Sequence, residues 1–424
     1  MLAAGHWKAA EAICSSDDVA AEDVVDAVLQ LVRKSLVSRI DDGRYGLLET
    51  LREYASDKLR GRGAELSATR DRHAAFYSDL VQRFDPSSAT KLLPYSNTEH
   101  TVRVYEVLDD AHDNVRVALR WMLEARRATE GLMLIRALVP LWWWRAVPAD
   151  GRQWLEAMLE LADRESDSVP PALRALAVFF GGAMARLQGD MGRARELIET
   201  SVALWRSLDD QVGLAMSLGS LGLIQACTRE FQQADFALTE SLELARGSGS
   251  TFVICVALNT FSTLACAQGQ SERATTMLRE SLALGRTLER AADRGQAVGR
   301  ALILLGRALS EQGHVDEAMV VLKEALAELR GLGMTGMTLA QGLEWIAPLV
   351  ATSGDPLRAA RLFGAADALW RASGATRYPP DEQAYERDVQ AVKEQLDDQL
   401  FEDALAEGRA MTATQAISHA LGEA

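Results

Sequence analysis

Apolar residues recur along this chain with the period of an amphipathic helix, and the pattern returns at six places. In each place, apolar or small residues stand three, four, seven and eight positions after a small anchor residue, on one face of a helix. The clear exception is Asp367, at the eighth position of the last copy. Successive anchors are 43, 40, 40, 44 and 41 residues apart. The anchors are Gly151, Ala194, Ala234, Ala274, Ala318 and Ala359.

A partner helix is predicted before each anchor helix, and before five of the anchors a small residue supports it. Twelve residues upstream the residue is small, which indicates a close approach of two helices, because glycine inside a helix costs about 1 kcal/mol relative to alanine. These residues are Gly182, Gly222, Ser262, Gly306 and Ala347. Turn-forming pairs such as Gly189-Asp190 and Gly354-Asp355 separate the two helices. Each unit is therefore predicted to be a helix, a short turn and a helix.

These units resemble tetratricopeptide (TPR) repeats, although they are longer than the usual ~34 residues. A single helix pair cannot bury its apolar face, so neighbouring pairs must stack into a superhelix with a concave surface. The resemblance covers roughly residues 126–376. The predicted fold class is all-α, a TPR-like α-α superhelix (solenoid), with a small N-terminal partial winged helix that contains one β-hairpin.

The first 62 residues show a different pattern. Asp23–Lys34 is predicted to be a helix, and Leu36–Ile40 and Arg44–Leu48 flank the hairpin turn signal Asp41-Asp42-Gly43. Thr50-Leu-Arg-Glu53 has the spacing of a capping box and predicts the start of the next helix. Helix, hairpin and helix in this order indicate the end of a winged-helix domain.

Several segments resemble bacterial STAND-type regulatory ATPases, the large AfsR-like and LuxR-type regulators. In chain order they are Leu31–Val37, Gly43–Tyr54, Arg70–Tyr77, Leu108–Trp121 and Glu407–Thr412. In that family a nucleotide-binding domain precedes the winged helix, and the repeats act as a sensor arm. This sequence has no GxxxxGK[ST] phosphate-binding loop, so the resemblance implies a member that lacks the ATPase domain.

The predicted domains follow from these segments. They are a partial winged helix at residues 1–62, a helical connector at 63–125, about six repeat pairs at 126–376 and a C-terminal helical cap at 377–424.

The charge balance narrows the choice of partners. The chain carries 45 basic and 60 acidic residues, a net charge of −15, which disfavours direct binding to nucleic acid or to an anionic membrane surface. The four cysteines form no CxxC pair and are typical of reduced thiols in an intracellular protein. No signal-peptide pattern opens the sequence, so the expected compartment is the cytoplasm.

No catalytic or cofactor-binding motif stands out in the sequence. Gly331-Leu-Gly-Met-Thr-Gly336 has the letters of a dinucleotide-binding loop but follows a predicted helix, so it is interpreted as a helix cap and loop. Asp109-Asp-Ala-His-Asp113 is interpreted as the acidic start of a helix rather than a cation site. The sequence contains no HExxH and no GxSxG. The chain is therefore predicted not to be an enzyme and to hold no cofactor or metal.

Three consecutive tryptophans form a candidate interaction surface. Trp142, Trp143 and Trp144 point about 100° apart on a helix, so at least one is expected to be exposed or to face another element. An exposed tryptophan is a typical contact hot spot, and packing between helices is the alternative.

A second candidate surface is a basic edge on the winged helix. It would be formed by Arg33, Lys34, Arg39 and Arg44. Residues 1–62 carry 9 basic and 11 acidic side chains, which favours a solvated face over a DNA-reading one.

The predicted function is that of a non-catalytic regulatory scaffold or sensor in bacterial signalling or transcriptional control. It would bind a protein partner or a small effector on the concave face of the repeats, and a separate nucleotide-binding subunit would be a further partner. One alternative is a DNA-binding transcriptional regulator of the LuxR/AfsR type that acts through the winged helix. A second alternative is a component of a STAND ATPase.

Overall fold

The computed structural model describes residues 5–16, 18–41, 44–84, 111–145, 148–165, 169–289, 291–333 and 336–423. Within these ranges the chain forms twenty helices and three short strands, which confirms the all-α class. No helix in these ranges is both long and apolar enough to cross a membrane. The described residues divide into two compact units, the first with residues 5–84, 111–138 and 157–169, the second with 139–156 and 170–423.

The first unit contains a short sheet and five helices. In chain order these are β1 Gly5–His6, α1 Trp7–Cys14, α2 Ala21–Arg33, β2 Val37–Asp41, β3 Arg44–Leu47, α3 Glu49–Arg60, α4 Gly63–Phe84 and α5 His112–Glu124. Two further helices have residues in both units, α6 Ala128–Arg145 and α7 Pro148–Arg164.

The second unit contains five helix pairs and three C-terminal helices. The pairs are α8 Pro171–Leu187 with α9 Met191–Ser207, α10 Gln211–Cys227 with α11 Phe231–Gly247, α12 Thr251–Ala267 with α13 Ser271–Gly285, α14 Ala291–Glu311 with α15 Val315–Gly331, and α16 Met337–Thr352 with α17 Pro356–Ser373. The last three helices are α18 Pro379–Lys393, α19 Asp398–Arg409 and α20 Ala413–Leu421.

The sheet of the first unit confirms the predicted hairpin and adds a strand. β2 and β3 pair antiparallel with Val37 opposite Leu47, and β1 joins β3 on its other side with Gly5 opposite Tyr45. The predicted capping box is wrong, because α3 begins one residue before Thr50 and its N-cap residue, Leu48, makes no side-chain bond.

Two segments that carry the family resemblance, Arg70–Tyr77 and Leu108–Trp121, meet where α4 packs on α5. The Trp121 Nε1 atom donates to Asp71 Oδ1 at 2.9 Å, and the Arg70 guanidinium lies 5.0 Å from the Trp121 ring centroid. Residues 108–110 of the second segment lie outside the described part of the chain.

The repeat register predicted from the sequence is confirmed by packing within the pairs. A Cβ atom added to Gly182, Gly222 or Gly306 would lie 2.4–2.8 Å from the side chain four positions after the anchor of the same pair. Real Cβ atoms do not approach other atoms so closely, so any larger residue there would force the facing side chain to shift. Those facing side chains are Ile198, Leu238 and Leu322.

Serines at the seventh position after the anchor tie the second helix of a pair to the first. Ser201 Oγ donates to the Ala175 carbonyl at 3.0 Å, and Ser241 Oγ donates to the Ala215 carbonyl at 2.7 Å. Both serines are buried. Buried hydroxyl groups need such partners, because an unpaired one costs about 1–3 kcal/mol.

The turn between the two helices of each pair has one backbone feature in common. A residue with positive φ follows the C-cap of the first helix, and in four of the five pairs it is glycine, which adopts this conformation without steric cost. These glycines are Gly189, Gly269, Gly313 and Gly354, and Arg229 takes the position in the α10–α11 turn with φ of 62°. The predicted cap at Gly331 is also confirmed, since α15 ends there and Gly333 has positive φ.

The C-terminal helices cover the last pair through a close helix crossing. A Cβ on Gly364 of α17 would lie 2.2 Å from the Leu405 carbonyl oxygen, and one on Gly408 of α19 would lie 2.0 Å from that of Arg361. Asp367, the exception in the repeat pattern, accepts from Arg409 Nε at 3.0 Å. It therefore faces α19 where earlier repeats bury an apolar residue.

Candidate interaction site on the inner face of the repeats

The first helices of the five pairs form the inner face of a curved array. Two adjacent residues show the curvature: Thr376 hydrogen-bonds to Leu187 at the end of α8, and Arg377 pairs with Glu344 of α16. A flat stack with helices roughly 8–10 Å apart would separate α8 from α16 by about 30–40 Å, too far for neighbouring residues to reach. The array therefore bends around this part of the chain.

The part of the chain that lies on the inner face is Gly374–Asp381, called the crossing segment below. It leaves α17 at Gly374, which has φ of 60°, and Ala375–Tyr378 form no regular secondary structure. It then enters the first turn of α18, where two prolines occupy the first two positions. Proline fits there because the first helical N–H groups have no partner inside the helix.

At its start, the crossing segment binds the end of α8. The Thr376 N–H donates to the Leu187 carbonyl at 2.7 Å, and the Thr376 hydroxyl donates to the same oxygen at 3.3 Å. The last carbonyl groups of a helix lack intrahelical partners, so the Leu187 oxygen can accept a hydrogen bond from another segment of the chain.

Tyr378 lies against the only arginine at the C-terminal end of α8. Arg186 Nη1 donates to the Tyr378 hydroxyl, and the guanidinium carbon lies 5.4 Å from the ring centroid. Arg186 is 6% exposed, so this cation–π contact is largely shielded from water.

Arg377 is held between aromatic rings and a buried carboxylate. Its guanidinium carbon lies 3.8 Å from the Tyr385 ring centroid and 5.5 Å from that of Trp370. Its Nε donates to Glu344 Oε1 at 2.6 Å. Burial raises the pKa of Glu344 to about 7, against the opposing effect of the Arg377 charge.

Asp381 forms a buried ion pair with Arg307 of α14. Both residues are less than 9% exposed, and Arg307 Nε also donates to Glu311 at 2.9 Å. Burial works against the charge of Arg307, but the carboxylates of Asp381 and Glu311 more than offset it and raise its pKa. Such a pair is costly to break from one side, by about 3–5 kcal/mol, because the remaining charge stays buried.

A small pocket opens beside the crossing segment. Tyr378, Asp381 and Arg307 line one side, and residues of α10 and α12 line the other, namely Leu223, Ala226, Cys227, Thr263 and Ala267. Burial raises the pKa of the Cys227 thiol to about 11, so it is a neutral group at physiological pH. The described residues contain no group of three or more side chains that would hold a metal ion.

The first surface predicted from the sequence belongs to α6. The side chains of Trp142, Trp143 and Trp144 fall outside the described part of the structure, although their backbone belongs to α6.

The structure describes the predicted basic edge only in part. Arg33 ends α2, Lys34 follows it, and Arg39 lies in β2, all three exposed. Arg44 begins β3, and its side chain is not among those described. The DNA-reading role of these residues stays a prediction.

Sequence patterns did not point to the crossing segment, which the sequence marked only as a proline break before the cap. One signal was present: Arg186 and Arg307 stand between buried residues of their helices. A buried charged residue needs a partner. Arg186 finds it in Tyr378, 192 residues away, and Arg307 finds it in Asp381, 74 residues away.

Comparison with known proteins agrees with the repeat architecture. Residues 181–247 match the tetratricopeptide repeat family. A protein of Mycobacterium tuberculosis (strain H37Rv) named "Putative HTH-type transcriptional regulator" is 29% identical over 329 residues, which is 76% of this chain and 35% of that protein. A protein of Mycobacterium bovis with the same description gives the same values. This chain thus spans about a third of the length of those relatives.

Two solved structures show a remote similarity. A Rap protein complexed with Competence and Sporulation Factor is 13% identical, with a TM-score of 0.48 over 77% of this chain and 98% of the other. A STAND protein with a tetratricopeptide repeat sensor from Pyrococcus horikoshii is also 13% identical, with a TM-score of 0.42 over 90% and 57% of the two chains.

Proposed function

We propose that this chain is a non-catalytic regulatory scaffold that binds a peptide segment of a protein partner on the inner face of its repeats. The observation that carries the proposal is the crossing segment, because its contacts are those that a bound peptide makes: a main-chain hydrogen bond, an aromatic contact and an ion pair. The match to the tetratricopeptide repeat family and the relatives named as regulators support a role in bacterial signalling or transcriptional control.

The test has two steps: photo-crosslinking identifies the partner, and charge reversal on and off the inner face then measures its affinity. A photo-crosslinking residue at Leu223, in the inner-face pocket, should form an adduct with the partner in cells, whereas one at Phe236, 74% exposed on α11, should not. The partner identified by mass spectrometry is then purified and titrated against Arg300→Glu and Arg286→Glu. Arg300 hydrogen-bonds to Gln341 of α16, and Arg286 forms an exposed pair with Glu324 at 2.7 Å.

We expect Arg300→Glu to weaken partner binding at least tenfold and Arg286→Glu to change it less than twofold. Both variants should show the circular dichroism spectrum of the parent chain. Equal affinities for the two variants, or adducts from Phe236 alone, would contradict the inner face as the binding surface. The same purification shows whether a nucleotide-binding subunit accompanies the chain, as the STAND ATPase alternative requires.

The second candidate function is DNA binding through a winged helix in the first unit. The observation that favours it is the sheet order β1-β3-β2, in which a third strand completes the predicted hairpin after α2. A fluorescence-anisotropy titration with labelled duplex DNA tests it. DNA binding that falls with rising salt and is lost on Arg33→Gln with Lys34→Gln would establish this role, since each phosphate contact contributes to the salt dependence.

A further inference from the structure

The inner face is already occupied in this structure, by a part of the same chain. The crossing segment joins α17 to α18 and makes its contacts with residues far away in the sequence, from Leu187 and Arg186 in the first pair to Arg307 in the fourth. The close contacts within the first, second and fourth helix pairs involve no residue of this segment.

The crossing segment brings one charge of each sign, and both meet opposite charges on the inner face. Among the described residues of the inner face, three arginines of the first helices stand near two carboxylates, Glu344 and Glu311. These arginines are Arg186, Arg300 and Arg307. Arg377 pairs with Glu344, and Asp381 pairs with Arg307, so each charge of the segment lies against an opposite charge.

The crossing segment leaves part of the face without partners. Within the described part of the structure, no protein group accepts a hydrogen bond from Arg186 Nε or donates one to Asn259 Oδ1, and both residues are at least 94% buried. Asn259 lies on α12 one turn before Thr263, which lines the pocket beside Tyr378. The contacts of the crossing segment therefore satisfy only part of the polar groups around this pocket.

We propose, on the basis of the proposed function, that the crossing segment is an internal competitor for the partner's binding site. The partner then presents a short peptide of the same chemistry, an aromatic residue that stacks on Arg186 followed three residues later by a carboxylate that pairs with Arg307. The partner peptide displaces the crossing segment, and the chain is released from its self-bound form only where this peptide is supplied.

The size of the competition follows from tethering. A segment held by the same chain has an effective concentration on the order of millimolar, so a free peptide with the same contacts competes poorly against it. Weakening the crossing segment must then raise the affinity of the free peptide, although the variant has lost contacts and gained none. A merely structural connection would not respond in this way.

The test uses the full chain and a labelled synthetic peptide with the sequence of residues 375–382, Ala-Thr-Arg-Tyr-Pro-Pro-Asp-Glu. Its affinity is measured by fluorescence anisotropy for the parent chain and for the double variant Tyr378→Ala with Asp381→Asn. We expect binding to the double variant at least tenfold tighter than to the parent chain. Tyr378→Phe, which keeps the ring and loses the hydroxyl, should shift the affinity in the same direction by less.

Two controls show that the peptide binds the inner face. A peptide with the tyrosine and the aspartate replaced by alanine and asparagine should not bind, and Arg307→Gln added to the double variant should remove binding. Circular dichroism melting curves identify any variant that does not fold, and Tyr378→Phe then decides. Equal affinities for the parent and the weakened chains, or no binding to a folded weakened chain, would overturn the proposal. The crosslinking test at Leu223 is independent of this result, so the scaffold function can stand even if self-competition fails.

Discussion

Replacement of Gly222 by leucine should destabilise the α10–α11 pair. A Cβ on Gly222 would lie 2.5 Å from Leu238 Cγ and 2.8 Å from Leu238 Cδ2, and a leucine places three further carbons in the same space. Overpacking of this kind costs about 1–3 kcal/mol even after side chains shift. The gain in helix propensity from glycine to leucine returns up to about 1 kcal/mol, so we expect a net loss of about 1–2 kcal/mol.

The matched control is Gly192→Leu in α9. Gly192 is also a helical glycine, but a Cβ there would meet nothing within 4 Å. The same substitution should therefore leave stability unchanged or raise it by up to about 1 kcal/mol. Urea unfolding of the full chain, followed by far-ultraviolet circular dichroism, compares the two variants with the parent.

A double-mutant cycle identifies the contact that is responsible. Leu238→Ala alone should cost about 2–5 kcal/mol, because it leaves a cavity opposite Gly222. In the double variant the new leucine fills this space, so the stability lost should be less than the sum of the losses in the two single variants. Equal unfolding midpoints for Gly222→Leu and Gly192→Leu, or strict additivity in the cycle, would refute the assigned repeat register.

Four further outcomes are expected. Arg229→Gly should stabilise the chain by about 0.5–1 kcal/mol in urea unfolding, because it relieves a left-handed backbone conformation that the other four turns give to glycine. Ser241→Ala should cost about 1 kcal/mol in the same assay through the lost bond to the Ala215 carbonyl. Gly408→Ala should open the crossing of α19 with α17 and make the C-terminal helices more sensitive to limited proteolysis, whereas an unchanged digestion rate would contradict the close contact. Burial lowers the pKa of His73 from 6.5 to about 4, so between these pH values the folded chain binds fewer protons than the unfolded chain. The free energy of unfolding should therefore fall by about 2 kcal/mol from pH 8 to pH 5. His73→Gln should flatten this part of the stability profile.

The helix pairs could be predicted from the sequence because their causes are local. Amphipathic spacing fixes which face of a helix is buried, and the small residue twelve positions before five of the anchors fixes how closely the partner helix approaches. The capping box at Thr50 was predicted wrongly, since a matching tetrapeptide does not decide where a helix begins when the preceding strand ends at Leu47.

The sequence by itself determined the all-α class and the register of the helix pairs, since each depends on residues within about forty positions of one another. Only the tertiary structure decided that residues 374–381 lie on the inner face, with Tyr378 against Arg186 at a separation of 192 residues. The path of that segment depends on the curvature of the array, which is the sum of small rotations between successive pairs. No local sequence pattern encodes that sum, so the contact between Arg186 and Tyr378 can be identified only in the stacked array.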